Sequence, residues 1–292
     1  MSILDKLEKK QILLSDGAWG TFLQATGLKP GECPELWNVT RRHDVLSIAE
    51  AYIEAGSDII ETNSFGGNIF KLSQYGLGDR VFELNKAAAA ISRQAAGVLK
   101  HVAGSVGPTG KMLIMGDVTE EELYNGFKEQ ATGLEAGGAD IIIIETMSAI
   151  DEASIAVRAA RENTKCIVIA TMTFEGSPDG EYRTMMGVSP SEMVTAMIEA
   201  GAHIVGSNCG NGIENMIGIV REIRLTDRHI PVMIQANAGV PELIEGKTVF
   251  RESPVMMASY VPALIEAGAN IIGGCCGTTP AHIYAMSQII RK

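Results

Sequence analysis

The segment EAGSDIIETN (residues 54–63) has three close copies in the chain, and their shared pattern decides the fold. The copies are EAGGADIIIIET (135–146), EAGAHIVGSNCG (199–210) and EAGANIIGGCCG (266–277). Each reads as the end of a helix, a glycine that stops it, a polar residue and then a buried aliphatic strand. The copies recur at intervals of about 65 to 80 residues, which suit two strand–helix units each. One further strand is therefore expected between neighbouring copies.

Four segments fit these remaining strands: ILLSDG (12–17), HVAGSVGP (101–108), CIVIATMTF (166–174) and IPVMIQANAG (230–239). Eight aliphatic strands that alternate with helices indicate a parallel sheet covered by helices. We therefore predict an α/β fold, a (β/α)8 TIM barrel, formed as a single domain by residues 1–292. A doubly wound open sheet is the alternative, but no G-x-G-x-x-G motif follows the first strand.

The composition restricts the classes of function. The chain has 292 residues, 46% of them hydrophobic, and a net charge of -11, which disfavours a nucleic-acid surface. No run approaches the ~20 apolar residues of a membrane span, and the first residues lack a signal peptide's apolar core. Five cysteines without an export signal favour free thiols or metal ligands in a reducing compartment. We expect a cytoplasmic protein that binds neither nucleic acid nor membrane.

Three of the five cysteines follow predicted strands. Cys209 ends the sixth strand, and the adjacent Cys275 and Cys276 end the eighth. In a barrel these strand ends meet at the C-terminal mouth, over which the loops 173–187 and 240–254 are also expected to lie. Three thiolates with one exchangeable position are typical of a catalytic zinc site.

The alternative for these three residues, which we call the strand-end cysteines, is that they are small packed side chains at the barrel rim. Neighbouring glycines are expected to let the backbone bend so that the cysteines face one ion. Cys33 lies in a loop and Cys166 opens the fifth strand at the opposite end of the barrel, so neither is expected to join the site. None of the five histidines follows a predicted strand, which disfavours a histidine ligand or base.

Acidic residues follow two other strands. Glu145 comes after four isoleucines, where a carboxylate is costly to bury without a partner. Asp16 precedes Gly17 after the first strand, where capping of the next helix is the alternative role. Two carboxylates suit an ammonium group, and the backbone N–H groups of residues 17–20 suit a carboxylate. Together they would bind the head group of an amino acid.

Five motifs resemble one enzyme family. DGAWGT (16–21), ETNSF (61–65), GSNCG (206–210) and GGCCGTTP (273–280) resemble the homocysteine methyltransferases. GECPELWN (31–38) is most similar to the homocysteine-binding module of cobalamin-dependent methionine synthase. The resemblance covers nearly the whole chain.

The resemblance implies that the strand-end cysteines bind Zn2+ and that Asn237 is a candidate for the fourth zinc position. It also implies that Asp16 and Glu145 hold the amino group of homocysteine. The full set of expected substrate-binding residues is Asp16, Gly17, Ala18, Asn63 and Glu145. The sequence leaves open whether Glu61 or Asn63 touches the substrate or only lines the pocket.

The implied reaction is the methylation of homocysteine to methionine. A thiol with a pKa near ~8.5 is mostly protonated at neutral pH, and zinc deprotonates it. No catalytic side chain is therefore expected beyond the zinc-activated substrate thiolate. The implied methyl donor is methylcobalamin on a corrinoid protein or module. The alternatives are S-methylmethionine as donor, another thiol as acceptor, or a non-catalytic zinc- and thiol-binding component of a methyl-transfer complex.

Overall fold

Eight parallel strands form a barrel in the computed structural model, which describes residues 2–177, 179–244 and 247–291. The strands are β1 (Leu13–Leu14), β2 (Ile59–Glu61), β3 (His101–Val106), β4 (Ile141–Met147), β5 (Ile167–Met172), β6 (Ile204–Gly212), β7 (Val232–Asn237) and β8 (Ile271–Gly274). Their order in the sheet is β1-β8-β7-β6-β5-β4-β3-β2, and all pairs are parallel. The predicted TIM barrel is confirmed, with all eight strands at the predicted segments.

Side chains help to join β1 to β2, because β1 is only two residues long. The Asp58 N–H donates to the Leu14 carbonyl at 2.7 Å, and the Leu14 N–H donates to Oδ2 of Asp58 at 3.1 Å. Nearer the C-terminal mouth, the Glu61 N–H donates to Oδ2 of Asp16 at 2.8 Å. Two aspartates therefore satisfy backbone N–H groups where the barrel closes.

Helices follow the strands and surround the barrel. The helices are α1 (Ile3–Glu8), α2 (Gly20–Ala25), α3 (Trp37–Thr40), α4 (Arg42–Ala55), α5 (Ile69–Ser73), α6 (Val81–Ala96), α7 (Glu120–Ala136), α8 (Ile150–Asn163), α9 (Pro190–Ala200), α10 (Ile213–Thr226), α11 (Pro254–Ala267) and α12 (Pro280–Ile290). As the repeated segment predicts, α4, α9 and α11 each end at a glycine with a left-handed backbone. Among the described helices, none is both long and apolar enough to span a membrane.

Short antiparallel hairpins lie in the two loops that were expected over the mouth. Glu175–Gly176 pairs with Tyr182–Arg183 in the loop after β5, and Glu242–Ile244 pairs with Lys247–Val249 in the loop after β7. Residues 178, 245 and 246 of these loops lie outside the described part of the chain. The sequence did not predict the hairpins.

The barrel interior is apolar near the N-terminal ends of the strands and polar near their C-terminal ends. We call these regions the lower and the upper interior. On β4, Ile141 and Ile143 face the interior, where α1 covers the N-terminal end with Ile3 and Leu7. Ile142 and Ile144 pack outward against the helices. Because successive side chains point to opposite faces, the next inward position on β4 is that of Glu145. Regular alternation therefore carries a carboxyl group into the barrel just above its apolar core.

Candidate active site

A cavity of about 290 Å3 opens at the C-terminal mouth of the barrel. Residues at or after seven of the eight strands line it, among them Gly17, Glu61, Ser105, Glu145, Cys209, Gln235 and Cys275. The lining residues lie within the described ranges, and none of them is a lysine, arginine or histidine. The cavity therefore combines acidic and sulfur groups without a basic side chain.

The strand-end cysteines come together at one side of this cavity. The sulfur atoms of Cys209, Cys275 and Cys276 all lie within 4.8 Å of one another, and the Sγ atoms of Cys209 and Cys276 are 3.9 Å apart. Tetrahedral zinc with Zn–S bonds of ~2.3 Å holds its sulfur ligands roughly 3.8 Å apart. The three residues therefore fit a zinc ion, and among the described residues no other group of three metal-binding side chains is as closely spaced.

Neighbouring glycines allow this arrangement in two ways. Gly210 and Gly277, which follow Cys209 and Cys276, have φ angles of 70° and 79°, so they turn the chain in the left-handed region as expected. Gly274 does not serve as a bend. A Cβ there would lie 2.3 Å from Oγ1 of Thr278, so glycine is required because the Thr278 side chain packs directly against this position.

Hydrogen bonds among the three thiols determine their protonation in the absence of a metal. Bonds from Cys275 and Cys276 lower the pKa of Cys209. The bond to Cys209 raises the pKa of Cys275 and Cys276. One thiolate is thus stabilised by two thiols, and a bound cation would stabilise the thiolate form of all three.

Asn237 lies beside the same sulfur atoms. Its side chain hydrogen-bonds the sulfur of Cys209, and its Oδ1 atom is buried without a hydrogen-bond partner among the described residues. A buried oxygen without a donor is unfavourable unless a cation or another donor approaches it. The position therefore fits the predicted fourth ligand, which stays a prediction.

Three buried carboxyl groups, which we call the acidic cluster, lie in the cavity or directly next to it. They belong to Asp16, Glu61 and Glu145. Burial raises the pKa of Asp16 and of Glu145 to about 7. Burial, and then the charges of Glu145 and Asp16, raises the pKa of Glu61 well above its usual value. Like charges in a desolvated site oppose joint ionisation, so the cluster favours either bound protons or an approaching cation.

Two polar residues that the sequence interpretation missed hold this cluster. Ser105 on β3 donates its hydroxyl hydrogen to Oε1 of Glu145, and Gln235 on β7 donates from Nε2 to Oε1 of Glu61 at 2.6 Å. Both residues lie two positions after an interior apolar residue of their own strand, Ala103 and Met233. The same alternation that places Glu145 could have identified both.

Asp16 is placed differently from Glu61 and Glu145. It is fully buried and is not among the residues that line the cavity. Its Oδ2 atom accepts from Nε1 of Trp19 at 2.9 Å as well as from the Glu61 N–H. Asp16 therefore anchors β2 and the turn before α2, and its contact with substrate stays a prediction.

The turn after β1 packs tightly against residues from α4 and the loop after β8. A Cβ at Gly17 would lie 2.6 Å from Oγ1 of Thr278 and 3.0 Å from the ring of Tyr52. The Ala18 N–H donates to Oγ1 of Thr278 at 3.1 Å, so that donor already has a partner. The N–H groups of Gly20 and Thr21 open α2 and have no acceptor within the helix. These two residues line the cavity and are better placed to meet a substrate carboxylate.

Asn63 lines the cavity, but both of its side-chain amide hydrogens are donated to other protein groups. Nδ2 donates to the Pro34 carbonyl at 2.7 Å and to Oδ1 of Asn38 at 3.0 Å. Glu35 makes a parallel link, because its Oε1 atom accepts from the Gly66 N–H at 2.7 Å. These contacts join the segment 31–38 to the loop after β2. The structure thus gives Asn63 a clamping role, and a substrate contact stays a prediction.

The remaining cysteines lie away from the strand-end cysteines. Cys33 is buried and donates to Oε2 of Glu35 at 3.3 Å. Cys166 precedes β5 at the opposite end of the barrel and donates to the Ala139 carbonyl at 3.3 Å. Burial raises the pKa of both thiols to about 12. Both are therefore protonated packing residues at neutral pH.

Comparison with known proteins identifies the family. The family model described as homocysteine S-methyltransferase matches residues 13–290. The chain belongs to the homocysteine S-methyltransferase family, so the family that its motifs indicate is confirmed. The match covers every strand and all helices except α1.

Similar curated proteins are methionine synthases. The chain is 33% identical to the enzyme of Mycobacterium tuberculosis (strain ATCC 25618 / H37Rv) over 308 residues, which cover 99% of this chain and 25% of that protein. It is 29% identical to the enzyme of Mycobacterium leprae (strain TN), with 97% and 24% covered. The chain thus spans about a quarter of the length of these relatives.

Solved structures of the homocysteine methyltransferase MmuM from Escherichia coli have the same fold. The metallated form superimposes with a TM-score of 0.79 at 24% identity and covers 98% of both chains. The oxidised form gives a TM-score of 0.78 at 25% identity, with 98% of this chain and 99% of that chain covered. These matches support the barrel assignment over its full length.

The clamping role of Asn63 predicts a loss of stability in Asn63→Ala. We expect the free energy of unfolding to fall by about 1–3 kcal/mol, because the Pro34 carbonyl and Oδ1 of Asn38 lose their donor. Urea unfolding measures this change. A role confined to substrate contact predicts the opposite pattern, in which stability is unchanged and only homocysteine affinity falls.

Proposed function

We propose that this chain is a zinc-dependent S-methyltransferase that binds homocysteine and methylates its sulfur to give methionine. One observation carries the proposal: the three cysteines share a single cavity with Glu61 and Glu145 of the acidic cluster, and none of the described lining residues is basic. The first group suits a soft cation and the second suits an ammonium group. Homocysteine carries both a sulfur and an ammonium group at the two ends of a short chain.

The three cysteines would hold the zinc ion, and Asn237 would occupy the exchangeable fourth position when no substrate is bound. Bound there, zinc would lower the pKa of the substrate thiol and keep the sulfur in its nucleophilic form. The chain's own residues supply orientation. Glu145 and Glu61 face the cavity and would accept hydrogen bonds from the substrate ammonium, while N–H groups at the start of α2 would bind its carboxylate.

The arrangement requires no general base on the protein. Once the substrate thiol has lost its proton, a sulfur lone pair forms the new carbon–sulfur bond as the bond between methyl and donor breaks. The electron pair of the broken bond stays on the donor. No histidine is among the described cavity-lining residues. His101 begins β3 and His203 precedes β6 at the opposite end of the barrel, and the ring nitrogens of His282 contact Thr279 and the Glu252 carbonyl.

A methylated corrinoid on a partner protein or module is the proposed donor. Exposed apolar side chains surround the mouth in the loops after β2, β3, β5 and β7, namely Phe65, Ile114, Met115, Met185 and Leu243. Such a rim suits the approach of a macromolecule better than that of a small polar donor. The similar methionine synthases are about four times as long, which agrees with a donor carried on additional chain. A cytoplasmic location stays a prediction.

A methyl-transfer assay tests the function. The zinc-loaded chain incubated with homocysteine and methylcobalamin should form methionine faster than a reaction without protein, and faster than one with S-methylmethionine as donor. If methionine forms with S-methylmethionine and not with methylcobalamin, the corrinoid donor is rejected and S-methylmethionine is the donor. Methionine formation at the uncatalysed rate with both donors, despite homocysteine binding, would indicate a non-catalytic binding component.

The metal site predicts different outcomes for substitution of Cys276 and of Cys166. Cys276→Ala should lose zinc and activity and leave the barrel folded, with a cooperative thermal transition, because the ligand lies at the rim and outside the apolar core. Cys166→Ala is the matched control and should keep both zinc and activity. Metal content by elemental analysis, measured beside a thermal melt, gives the result. Stoichiometric zinc and full activity in Cys276→Ala would refute the site.

The acidic cluster predicts weaker homocysteine binding in Glu145→Gln with zinc retained. Loss of a charged hydrogen bond of about 2–3 kcal/mol corresponds to a roughly 30- to 150-fold change in affinity. Asp16→Asn should change affinity in the same direction, and its unfolding is measured as well because Asp16 anchors β2. The control is Glu152→Gln, a buried carboxylate that accepts from Thr109 and is not among the cavity-lining residues. Unchanged calorimetric affinity in both cluster variants would reject the assignment.

A further inference from the structure

Two residues at the mouth have an unusual backbone conformation. Among the described residues only three besides glycine have a positive φ, and two of them are Thr146 at 60° and Cys209 at 59°. Both lie at bulges, because the β4–β5 register shifts between Ile144 and Met147 and the β6–β7 register shifts beyond Asn208. Left-handed geometry is especially unfavourable for a β-branched residue such as threonine. The surrounding structure must therefore hold these two bulges.

One buried amide connects the two bulges. Asn208 is fully buried, and its Oδ1 atom accepts from the Thr146 N–H and from the Thr171 hydroxyl, both at 2.8 Å. Its Nδ2 atom donates to Oγ1 of Thr146 at 2.7 Å and to Oε2 of Glu145 at 3.3 Å. All the hydrogen-bonding capacity of the amide is used, and Asn208 is not among the cavity-lining residues.

This amide lies next to both ends of the proposed substrate site, the cysteine sulfurs and the carboxylate of Glu145. Asn208 directly precedes Cys209, whose sulfur lies in the group of three. It bonds the carboxylate of Glu145 and the backbone of Thr146, the next residue. A shift of Asn208 would therefore change the position of the sulfur relative to the carboxylate.

We propose that Asn208 is a positioning residue that fixes the span between the carboxylate of Glu145 and the sulfur of Cys209, and thereby selects homocysteine over thiol amino acids of other chain length. This inference rests on the proposed function. Cysteine has the same head group and thiol but one methylene fewer, so it cannot satisfy both ends of a rigid site. A site with a fixed span discriminates against it, and a site whose span can adjust does not.

The test compares ligand selectivity in Asn208→Ala with that of the wild type. Isothermal titration of the zinc-loaded proteins with homocysteine and with cysteine gives an affinity ratio for each. In Asn208→Ala we expect homocysteine affinity to fall by at least ~10-fold and the homocysteine-to-cysteine ratio to fall toward one. Zinc affinity, measured by chelator competition, should also fall because Cys209 loses its support.

Two further variants separate positioning from general stability. Asn85→Ala removes another buried amide, whose bonds to Gly67 and Val81 lie outside the cavity lining. It should lower the urea midpoint and leave the ratio unchanged. With Thr146→Gly in place, the β4 bulge should keep its backbone conformation better when Asn208 is replaced, since glycine adopts a positive φ freely. The ratio should therefore fall less in the double variant than in Asn208→Ala.

Each outcome is decisive. An unchanged ratio in Asn208→Ala, even with lower stability, rejects the positioning role alone. Absence of homocysteine binding by the wild type rejects the proposed function and this inference with it. If Asn208→Ala does not fold, Thr171→Val removes one of the same bonds with little change of shape. It should shift the ratio in the same direction, and an unchanged ratio there rejects the role.

Discussion

The buried carboxyl groups of Glu61 and Glu145 and the three thiols line one cavity, beside buried Asp16, and no basic side chain is among its described lining residues. Removing ionisable groups from water is unfavourable unless each finds a partner of opposite charge or keeps its proton. The raised pKa values of Asp16, Glu61 and Glu145 are the direct result. A cation on each side of the cavity relieves this cost. The thiols suit a soft metal ion, and the carboxylates suit an ammonium group.

The barrel makes this arrangement possible because its two halves are separate. Apolar side chains fill the lower interior, and α1 covers its end with Ile3 and Leu7. This core stabilises the fold independently of the mouth, so the strand ends can carry groups that would weaken a core. Bulges at β4 and β6 then interrupt regular alternation where Thr146 and Cys209 lie. The site depends on both the regular alternation below and the irregular backbone above.

Much of this architecture could be predicted from local pattern. Eight aliphatic segments predicted the eight strands, and the repeated helix–glycine–strand segment predicted helix ends such as Gly56 and Gly268. Strand-end position alone brought Cys209 into the same group as Cys275 and Cys276. Alternation could also have identified Ser105 and Gln235, because each follows an interior apolar residue by two positions.

The remaining features depend on contacts between residues distant in the chain. No local pattern indicates that Asp16 accepts from the Glu61 N–H or that Asn63 donates to the Pro34 carbonyl. The same holds for the hydrogen bond from the Ala18 N–H to the Thr278 hydroxyl. These bonds arise only after the barrel closes and brings loops together. The role expected for Gly274 also differed, since the need for glycine comes from the packed Thr278 side chain and not from its own backbone angle.

The central claim is that an ammonium group compensates the acidic cluster, and a ligand without that group tests it most directly. 4-Sulfanylbutanoate keeps the thiol and carboxylate of homocysteine and lacks only the amino group. Titration calorimetry with the zinc-loaded protein should show it binding at least ~30-fold more weakly than homocysteine, as expected for loss of a charged hydrogen-bonded contact. Equal affinity of the two ligands would contradict the claim.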